Sequence, residues 1–263
     1  MKIQVLVENT TKREDLQAEH GLSIYVETGK HKILFDMGQT EAFAENAGRL
    51  GIDLSEVDIA ILSHGHYDHG GGLTRFLEIN SKAPVYISRY AFMPHYNGSE
   101  KYIGLAEELK QSKRLVFTED VLEINSEMRL YSCNDKKRLY AFDSFGLNML
   151  EKGILMPDDF RHEQYLMICE DDKKVLLSGC SHKGILNIVS WFEPDVLVGG
   201  FHFMKLDPAG DGAERLKLAA RQLMKYNTRY YTGHCTGVEQ YAFLKEIMGE
   251  QLDYFSTGDT VTI

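Results

Sequence analysis

The stretch His64-Gly65-His66-Tyr67-Asp68-His69 gathers three of the ten histidines of a 263-residue chain within six positions, together with one aspartate. It follows the apolar segment 57–62, which is typical of a buried strand, and it precedes three glycines at 70–72. Four polar side chains therefore project from a tight turn between a strand and a helix. Imidazole nitrogen and carboxylate oxygen are ligands for zinc, manganese and iron. The stretch predicts a metal site in preference to a histidine-rich turn without metal.

The number of donors in this stretch indicates two metal ions. Six positions supply more donors than one tetrahedral ion takes while it keeps a coordination position open. His64 and His66 are predicted to share one ion, because they point the same way along an extended chain. Asp68 and His69 are predicted to hold the other ion. Asp68 is also expected to orient the nucleophile, which makes it a candidate catalytic residue.

Further ligands are expected where other predicted strands end. His234 follows the strand 229–232 and is flanked by glycine, while Cys180 and His182 follow the strand 175–177. Cys180 and His182 face the same side if the extended conformation persists beyond the strand. Cys180 is predicted to bind or bridge the ions as a thiolate, with a buried inert thiol as the alternative. Sulfur favours zinc over manganese or iron, which stay open.

Two more residues end predicted strands. His202 follows the strand 195–200 and is predicted to face the cleft as a ligand, a substrate donor or a general acid. Asp36 ends the segment 32–36, and we expect it to orient a ligating histidine rather than to bind metal itself.

Weaker candidates complete the set of histidines and add one lysine. His20 and Lys183 are predicted to contact the substrate, although a structural or solvent-facing role is the alternative for His20. His162 lies in the charged segment Asp159–Glu163 and is expected to be structural or solvent-facing. His31 and His95 have no neighbouring residues that suggest a function.

The order of predicted elements indicates one domain over residues 1–263. Strands alternate with helices and short hairpins also occur, which is typical of a mixed α/β fold. The region 83–161 is less regular and holds many aromatic residues. We predict that it is an insertion or a lid over the site, with a surface excursion as the alternative. The tyrosines after Pro84 are expected to line a pocket for a planar group.

Composition excludes several classes of partner. The hydrophobic fraction of 43% and the charged fraction of 26% are ordinary for a soluble globular protein. A net charge of −10 argues against nucleic acid as a partner, since duplex binding normally needs a basic face. There is no apolar run long enough to cross a membrane, no signal-peptide pattern and no disulfide spacing among the four cysteines. A cytoplasmic location and a small-molecule substrate are therefore expected.

Together these motifs resemble the metallo-β-lactamase superfamily over nearly the whole chain. The matching segments are Asp36-Met37-Gly38, the signature 64–69, the strand end 176–180 and Thr232-Gly233-His234. The resemblance implies an αββα sandwich, in which two mixed β-sheets are flanked by helices. It also implies a dinuclear metal site at the edge between the two sheets.

Finer matches are similar to a narrower subgroup of that superfamily, the dihydropterin–ribofuranosylaminobenzene phosphate synthases. They are EHGLS at 19–23, GCSHKG at 179–184, GGFH at 199–202 and GHCTG at 233–237. The better-known hydrolases of the superfamily have a further histidine between the signature and the bridging residue. Here either His162 or His182 takes that place, so the third ligand of the first ion stays open.

The leading functional hypothesis is metal-dependent hydrolysis of a small phosphorylated or ester-like substrate. Two divalent ions, most simply zinc, would activate water, and His202 would protonate the leaving group or bind an anionic oxygen. The subgroup resemblance implies an alternative, a transferase that joins a pterin methyl diphosphate to an arylamine through a C–N bond. A metal-binding sensor without turnover is the third alternative.

Overall fold

Two large β-sheets lie face to face and carry helices on their outer faces. The computed structural model describes residues 1–263, with strands numbered β1–β18 and helices α1–α6 in chain order. Both large sheets have seven strands, and a third, smaller sheet has four. The αββα sandwich with mixed sheets that the resemblance implied is therefore confirmed.

The first sheet has the strand order β18-β1-β2-β3-β4-β5-β8. Its strands β3, β4, β5 and β8 run parallel to one another, so their carboxyl ends meet at one edge. The bounds of its strands are β1 Lys2–Val7, β2 Ser23–Glu27, β3 Lys32–Phe35, β4 Ile59–Ile61, β5 Val85–Ser88, β8 Leu115–Thr118 and β18 Thr260–Thr262.

The second sheet has the order β17-β16-β15-β14-β13-β10-β9. Its strands β14, β15, β16 and β17 are parallel, which again brings their carboxyl ends together. The bounds are β9 Val121–Glu123, β10 Met128–Tyr131, β13 Tyr165–Glu170, β14 Lys173–Leu177, β15 Val196–Val198, β16 Arg229–Thr232 and β17 Leu252–Tyr254.

Side chains alternate between the two faces of each strand, so apolar residues form one layer between the sheets and further layers under the outer helices. In β3, Ile33 and Phe35 pack between the two sheets, whereas Leu34 points to the opposite face and contacts the outer helices. Helices α1 and α3 cover the first sheet, and α4, α5 and α6 cover the second. The helix bounds are α1 Ala42–Arg49, α2 Tyr67–Gly70, α3 Leu73–Ile79, α4 Ile185–Phe192, α5 Gly212–Leu223 and α6 Val238–Met248. None of these helices has the length and apolar character needed to cross a bilayer.

The region 83–161, predicted as an insertion or lid, is divided among all three sheets. It supplies β5 and β8 to the first sheet and β9 and β10 to the second. Only its remaining strands form the small sheet, in the order β12-β11-β6-β7. Their bounds are β6 His95–Asn97, β7 Lys101–Tyr102, β11 Leu147–Glu151 and β12 Ile154–Pro157. Closure of this region over the site stays a prediction.

Candidate metal centre

The candidate ligands lie where the parallel strands of the two large sheets end. The signature 64–69 follows β4, Cys180 and His182 follow β14, and His234 follows β16. They surround a cleft of about 330 Å³ between the sheets, which the small sheet borders through Lys101 and Leu147. The topology thus brings together residues that are far apart in the sequence.

His64, His66 and His182 form the first donor set. One side-chain nitrogen of each lies within 4.8 Å of the others, and all three residues are buried. Nε2 of His64 is 3.3 Å from Nε2 of His182. Of the two candidates for the third ligand, the structure groups His182, and not His162, with the pair from the signature.

Asp68, His69 and His234 form the second donor set, again with ligand atoms within 4.8 Å of one another. Oδ2 of Asp68 is 3.3 Å from Nε2 of His234 and 3.8 Å from Nε2 of His69. The two imidazoles of this set approach each other with their Nε2 atoms 3.2 Å apart.

Cys180 lies between the two sets. Its Sγ is 3.2 Å from Nε2 of His69, and it also groups with His64 within ligand distance. Burial raises the pKa of the Cys180 thiol well above its usual range in the ion-free protein. A neighbouring cation has the opposite effect, because it stabilises the thiolate. Its position suits a sulfur that contacts both ions.

Hydrogen bonds fix which nitrogen each imidazole turns to the site. The carboxylate of Asp36 is buried and accepts from Nδ1 of His69 at 2.7 Å. It also accepts from the hydroxyl of Ser63, whose oxygen is 2.8 Å from Nδ1 of His64. Both rings therefore carry their proton on Nδ1 and present the Nε2 lone pair to the cleft. Asp36 lies behind the ligands, and its role in metal binding stays a prediction.

His234 is oriented by residues that the sequence did not single out. Its Nδ1 donates to Oδ1 of Asn9 at 2.8 Å, and its main-chain N–H donates to Oε1 of Glu8. Nothing near Glu8 or Asn9 in the sequence signals this role, since both follow β1 at the far end of the chain. Cys235, adjacent to His234, was also not predicted as a site residue. It is buried and lies within ligand distance of Cys180.

The hydrogen bonds within the donor sets indicate that the sets can hold divalent cations. His69 and His234 both use Nδ1 as donor, so two Nε2 lone pairs would face each other at 3.2 Å if both rings were neutral. A positive charge between two such lone pairs is needed to offset their repulsion. Nitrogen, sulfur and carboxylate donors in sets of three match transition-ion chemistry, zinc in particular.

In the ion-free protein, protonation provides a positive charge at the second donor set but not at the first. Burial and the neighbouring histidines hold the pKa values of His64, His66 and His182 well below their usual range. Burial also disfavours a charged His234, but the hydrogen bond and the charge of Asp68 raise its pKa to about 9. The first set is therefore neutral in the ion-free protein, while His234 carries a proton.

Of the remaining predicted site residues, His202 and His20 line the cleft and Lys183 does not. His202 lines the cleft beside His182, with ring centroids 4.3 Å apart, and burial together with Lys205 and His234 lowers its pKa to about 4. His20 also lines the cleft, with Nε2 at 3.4 Å from Oδ2 of Asp68.

Lys183 is placed differently from its prediction as a substrate-binding residue. Its side chain is fully buried, and Nζ donates to the carbonyl oxygens of Ser132 and Glu163 at 2.5 and 3.0 Å. The ammonium group ties β10 to β13 behind the site and does not line the cleft. Lys183 is drawn inward because the carbonyl oxygens at two strand ends accept from its ammonium group.

His162 and His95 also differ from expectation. His162 was expected to be structural or solvent-facing, and the structure buries it completely, which excludes the solvent-facing alternative. His95, which had no supporting context, lies 3.9 Å from it between ring centroids. Both group with His66 and Asp158 behind the first donor set.

An apolar chamber of about 450 Å³ adjoins the cleft. The two spaces share Phe145, His182 and His202 as common walls. The region 83–161, whose aromatic residues were candidates for a pocket wall, contributes Tyr140, Phe142 and Phe145, whereas the tyrosines between 86 and 102 do not line the chamber. The apolar walls of the chamber come from the segment 140–145, the start of α4, the loop after β15 and α5, and they include Phe142, Phe145, Ile185, Phe201, Phe203, Leu206 and Leu218.

Comparisons with known proteins agree with this geometry. The family model described as the metallo-β-lactamase superfamily matches residues 16–234. An uncharacterized protein of Methanocaldococcus jannaschii is 32% identical over 213 residues, which cover 77% of this chain and 79% of that protein. The 7,8-dihydropterin-6-methyl-4-(β-D-ribofuranosyl)-aminobenzene-5′-phosphate synthase of the same organism is 28% identical and covers 93% of this chain and 90% of its own length.

A solved structure, Tm1679, described as a metal-dependent hydrolase of the β-lactamase superfamily, superposes with a TM-score of 0.84. It is 27% identical and covers 100% of this chain and 99% of its own. The matched family model, the αββα sandwich and the two donor sets at its edge lead to one conclusion: this chain belongs to the metallo-β-lactamase superfamily.

Proposed function

We propose that the protein is a metal-dependent hydrolase that uses two divalent ions, preferably zinc, against a small substrate with a phosphate or ester group. The observation that carries the proposal is the pair of donor sets on either side of Cys180. His64, His66 and His182 would hold one ion, and Asp68, His69 and His234 the other. When bound, the ions supply Lewis acidity and lower the pKa of water toward neutrality.

The residues of the chain supply orientation and charge. Asp68 contacts His234 and His20 through Oδ2, so it can hold a hydrogen-bonded water or substrate oxygen next to the second donor set. His202 is neutral at pH 7, because its pKa is lowered to about 4. A neutral imidazole donates a hydrogen bond without carrying charge, so His202 would stabilise an anionic oxygen rather than act as a strong acid.

The substrate class follows from the walls of the cleft and chamber. Lys101 and Lys205 line the cleft and favour an anionic group there, despite the net charge of −10. The adjoining chamber is lined mainly by apolar side chains. A compound with a phosphate at the cleft and an apolar or planar body in the chamber would satisfy both surfaces.

The C–N bond-forming transferase is the second candidate. The specific observations in its favour are the size of the aromatic-walled chamber and the 28% identity to the pterin-related synthase over most of both chains. The same donor sets would then neutralise a departing diphosphate, while the chamber would hold a fused ring.

Metal analysis followed by substrate screening tests the first proposal. We expect protein purified without added metal to contain two ions per chain, and to hydrolyse some members of a panel of aryl phosphomonoesters, phosphodiesters and lactones. His66→Ala and Asp68→Ala should each lose one ion and turnover. His31→Ala, outside the cleft, is the control. Undiminished turnover in both cleft variants would refute the proposal.

A direct assay separates the transferase from the hydrolase. Zinc-loaded protein would be incubated with a dihydropterin methyl diphosphate, with and without a ribofuranosyl-aminobenzene phosphate acceptor. Diphosphate release that needs the acceptor, with a coupled product seen by mass spectrometry, supports the transferase. Release without any acceptor supports hydrolysis.

A further inference from the structure

A buried set of polar side chains lies behind His66, on the side away from the cleft. It consists of His66, His95, Asp158 and His162, each less than a tenth exposed, with one ligand-type atom of each within 4.8 Å of the others. Three ring nitrogens in this set, Nε2 of His66, His95 and His162, are buried without a hydrogen-bond partner. Buried polar atoms without partners are uncommon and call for a physical explanation.

His95 and Asp158 form the firmest contact in the set. Nδ1 of His95 is 2.7 Å from Oδ2 of Asp158, while Oδ1 accepts the main-chain N–H of Phe160. A carboxylate only accepts, so the proton of His95 lies on Nδ1. Its Nε2 therefore carries a lone pair in a buried place and lacks a donor.

His162 argues against a third metal ion at this set. Its Nδ1 accepts the main-chain N–H of Gly65 at 2.9 Å, so the proton of the neutral ring lies on Nε2. That Nε2 is 3.4 Å from Oδ2 of Asp158 and has no lone pair to offer a cation. The composition of the set resembles a ligand group, but the hydrogen bond from Gly65 leaves the proton of His162 on the nitrogen that faces the set.

His66 belongs to both the first donor set and this buried set. The two nitrogens of an imidazole lie on different edges of the ring, so one can hold an ion while the other carries the proton. The fully buried Nε2 is the nitrogen left without a partner. The rings of His66 and His95 meet edge to face, with centroids 5.3 Å apart and planes at 79°.

We infer that His95 and Asp158 are positioning residues for the ion held by His64, His66 and His182. Nε2 of His66 and Nε2 of His95 each lack a partner in the ion-free protein. With an ion on its other nitrogen, His66 would donate its N–H to Nε2 of His95, whose own N–H donates to Asp158. Such a chain fixes the ring of a ligating histidine and increases its basicity. The inference rests on the proposed metal site, and it adds residues from the small sheet to that site.

The position of the two residues in the fold supports this role. His95 opens β6 of the small sheet, and Asp158 follows directly after β12 at the border of that sheet. The region 83–161 thus reaches the metal centre from behind, through buried side chains, as well as bordering the cleft from the front.

Zinc titration of the metal-free protein tests the inference with a chelating dye as competitor. We expect His95→Phe to weaken one of the two bound ions by about 10- to 100-fold and to leave the other unchanged. His95→Gln should retain most of the affinity, since its amide can accept from His66 and donate to Asp158. Asp158→Asn should fall between them, and His31→Phe is the matched control.

A second readout reports the hydrogen bond itself. Long-range ¹H–¹⁵N spectra of the zinc-loaded protein should show His66 protonated on Nε2, with a proton shift that changes in His95→Phe and recovers in His95→Gln. Unfolding midpoints of the metal-free variants show whether each has folded. A purely structural role would lower these midpoints without affecting one ion selectively.

Several outcomes would overturn the inference, and they differ from failure of the proposed function. Two ions bound with unchanged affinities in His95→Phe and Asp158→Asn would remove the positioning role while leaving the metal site intact. A third zinc ion, lost in His95→Phe, would replace the hydrogen-bond chain by a cation site. If the wild type binds no zinc, the proposed function itself fails.

Discussion

Nε2 of His69 and Nε2 of His234 face each other at 3.2 Å, and each ring is held in that orientation by a hydrogen bond from its other nitrogen. With both rings neutral, two lone pairs would face each other, so the arrangement requires a proton or a metal ion between them. A proton on His234 relieves the repulsion in the ion-free protein, and a metal ion must displace that proton.

Binding of the second ion should therefore depend on pH. His234 has a pKa raised to about 9, so it is protonated below that value and must lose its proton to bind. The affinity of its donor set should rise about 10-fold per pH unit up to about pH 9 and then level off. His64, His66 and His182, with pKa values well below their usual range, should bind their ion with constant affinity over pH 7–9.

This measurement is best made in a Cys180→Ser variant, because the thiol also releases a proton on binding metal. Zinc competition titrations at several pH values would give one affinity that changes and one that does not. Two affinities with the same pH dependence would contradict the assignment of the proton to His234.

Asp36→Asn should weaken both ions. Asp36 accepts from His69 directly and from Ser63, which in turn contacts His64. A carboxamide cannot accept all of these hydrogen bonds, so we expect a loss of about 10- to 100-fold in zinc affinity at each set. Asp53→Asn, at an exposed helix start on the surface, is the control for loss of one charge. Two-ion binding at wild-type affinity in Asp36→Asn would contradict the prediction.

Gly65→Ala should distort the signature loop. A Cβ at this position would lie 2.1 Å from the carbonyl oxygen of Ala91, which belongs to the main chain and cannot rotate away. We expect a loss of about 1–3 kcal/mol in the free energy of unfolding, together with weaker zinc binding. Gly48→Ala is the matched control, because nothing lies within 4 Å of its Cβ and it sits in α1, where alanine is favoured.

Thermal unfolding and zinc titration of both glycine variants would check this prediction. Equal midpoints for Gly65→Ala and the wild type would show that the loop adapts.

Lys101→Ala should raise the KM for phosphorylated substrates and leave kcat nearly unchanged. The lysine lines the cleft and makes no hydrogen bond or ion pair with either donor set, so it would contribute to binding of the anionic group in the ground and transition states alike. Lys217→Ala, on the exposed face of α5, is the control. Measuring KM and kcat for a phosphorylated and for an uncharged ester substrate would test this prediction. Only the KM for the phosphorylated substrate should rise.

The fold brings together the residues that the sequence predicted as ligands, because a strand end is a local signal, and their binding of metal stays a prediction. His64 to His69, Cys180 and His234 each follow an apolar run, and parallel strands bring such ends to one edge. Glu8, Asn9 and Asp158 act through contacts across the fold, which no local pattern reports. The tyrosines between 86 and 102 do not line the chamber, whose walls come from four separate segments that no local pattern brings together.

The contact between Glu8 and the main chain of His234 joins positions 226 residues apart. β18 likewise completes the first sheet by pairing with β1, which brings the two ends of the chain together. A nascent chain therefore lacks an oriented His234 until residue 234 has been synthesised and has packed against the segment that follows β1. We expect the second donor set to bind its ion late in co-translational folding, after this long-range contact has formed.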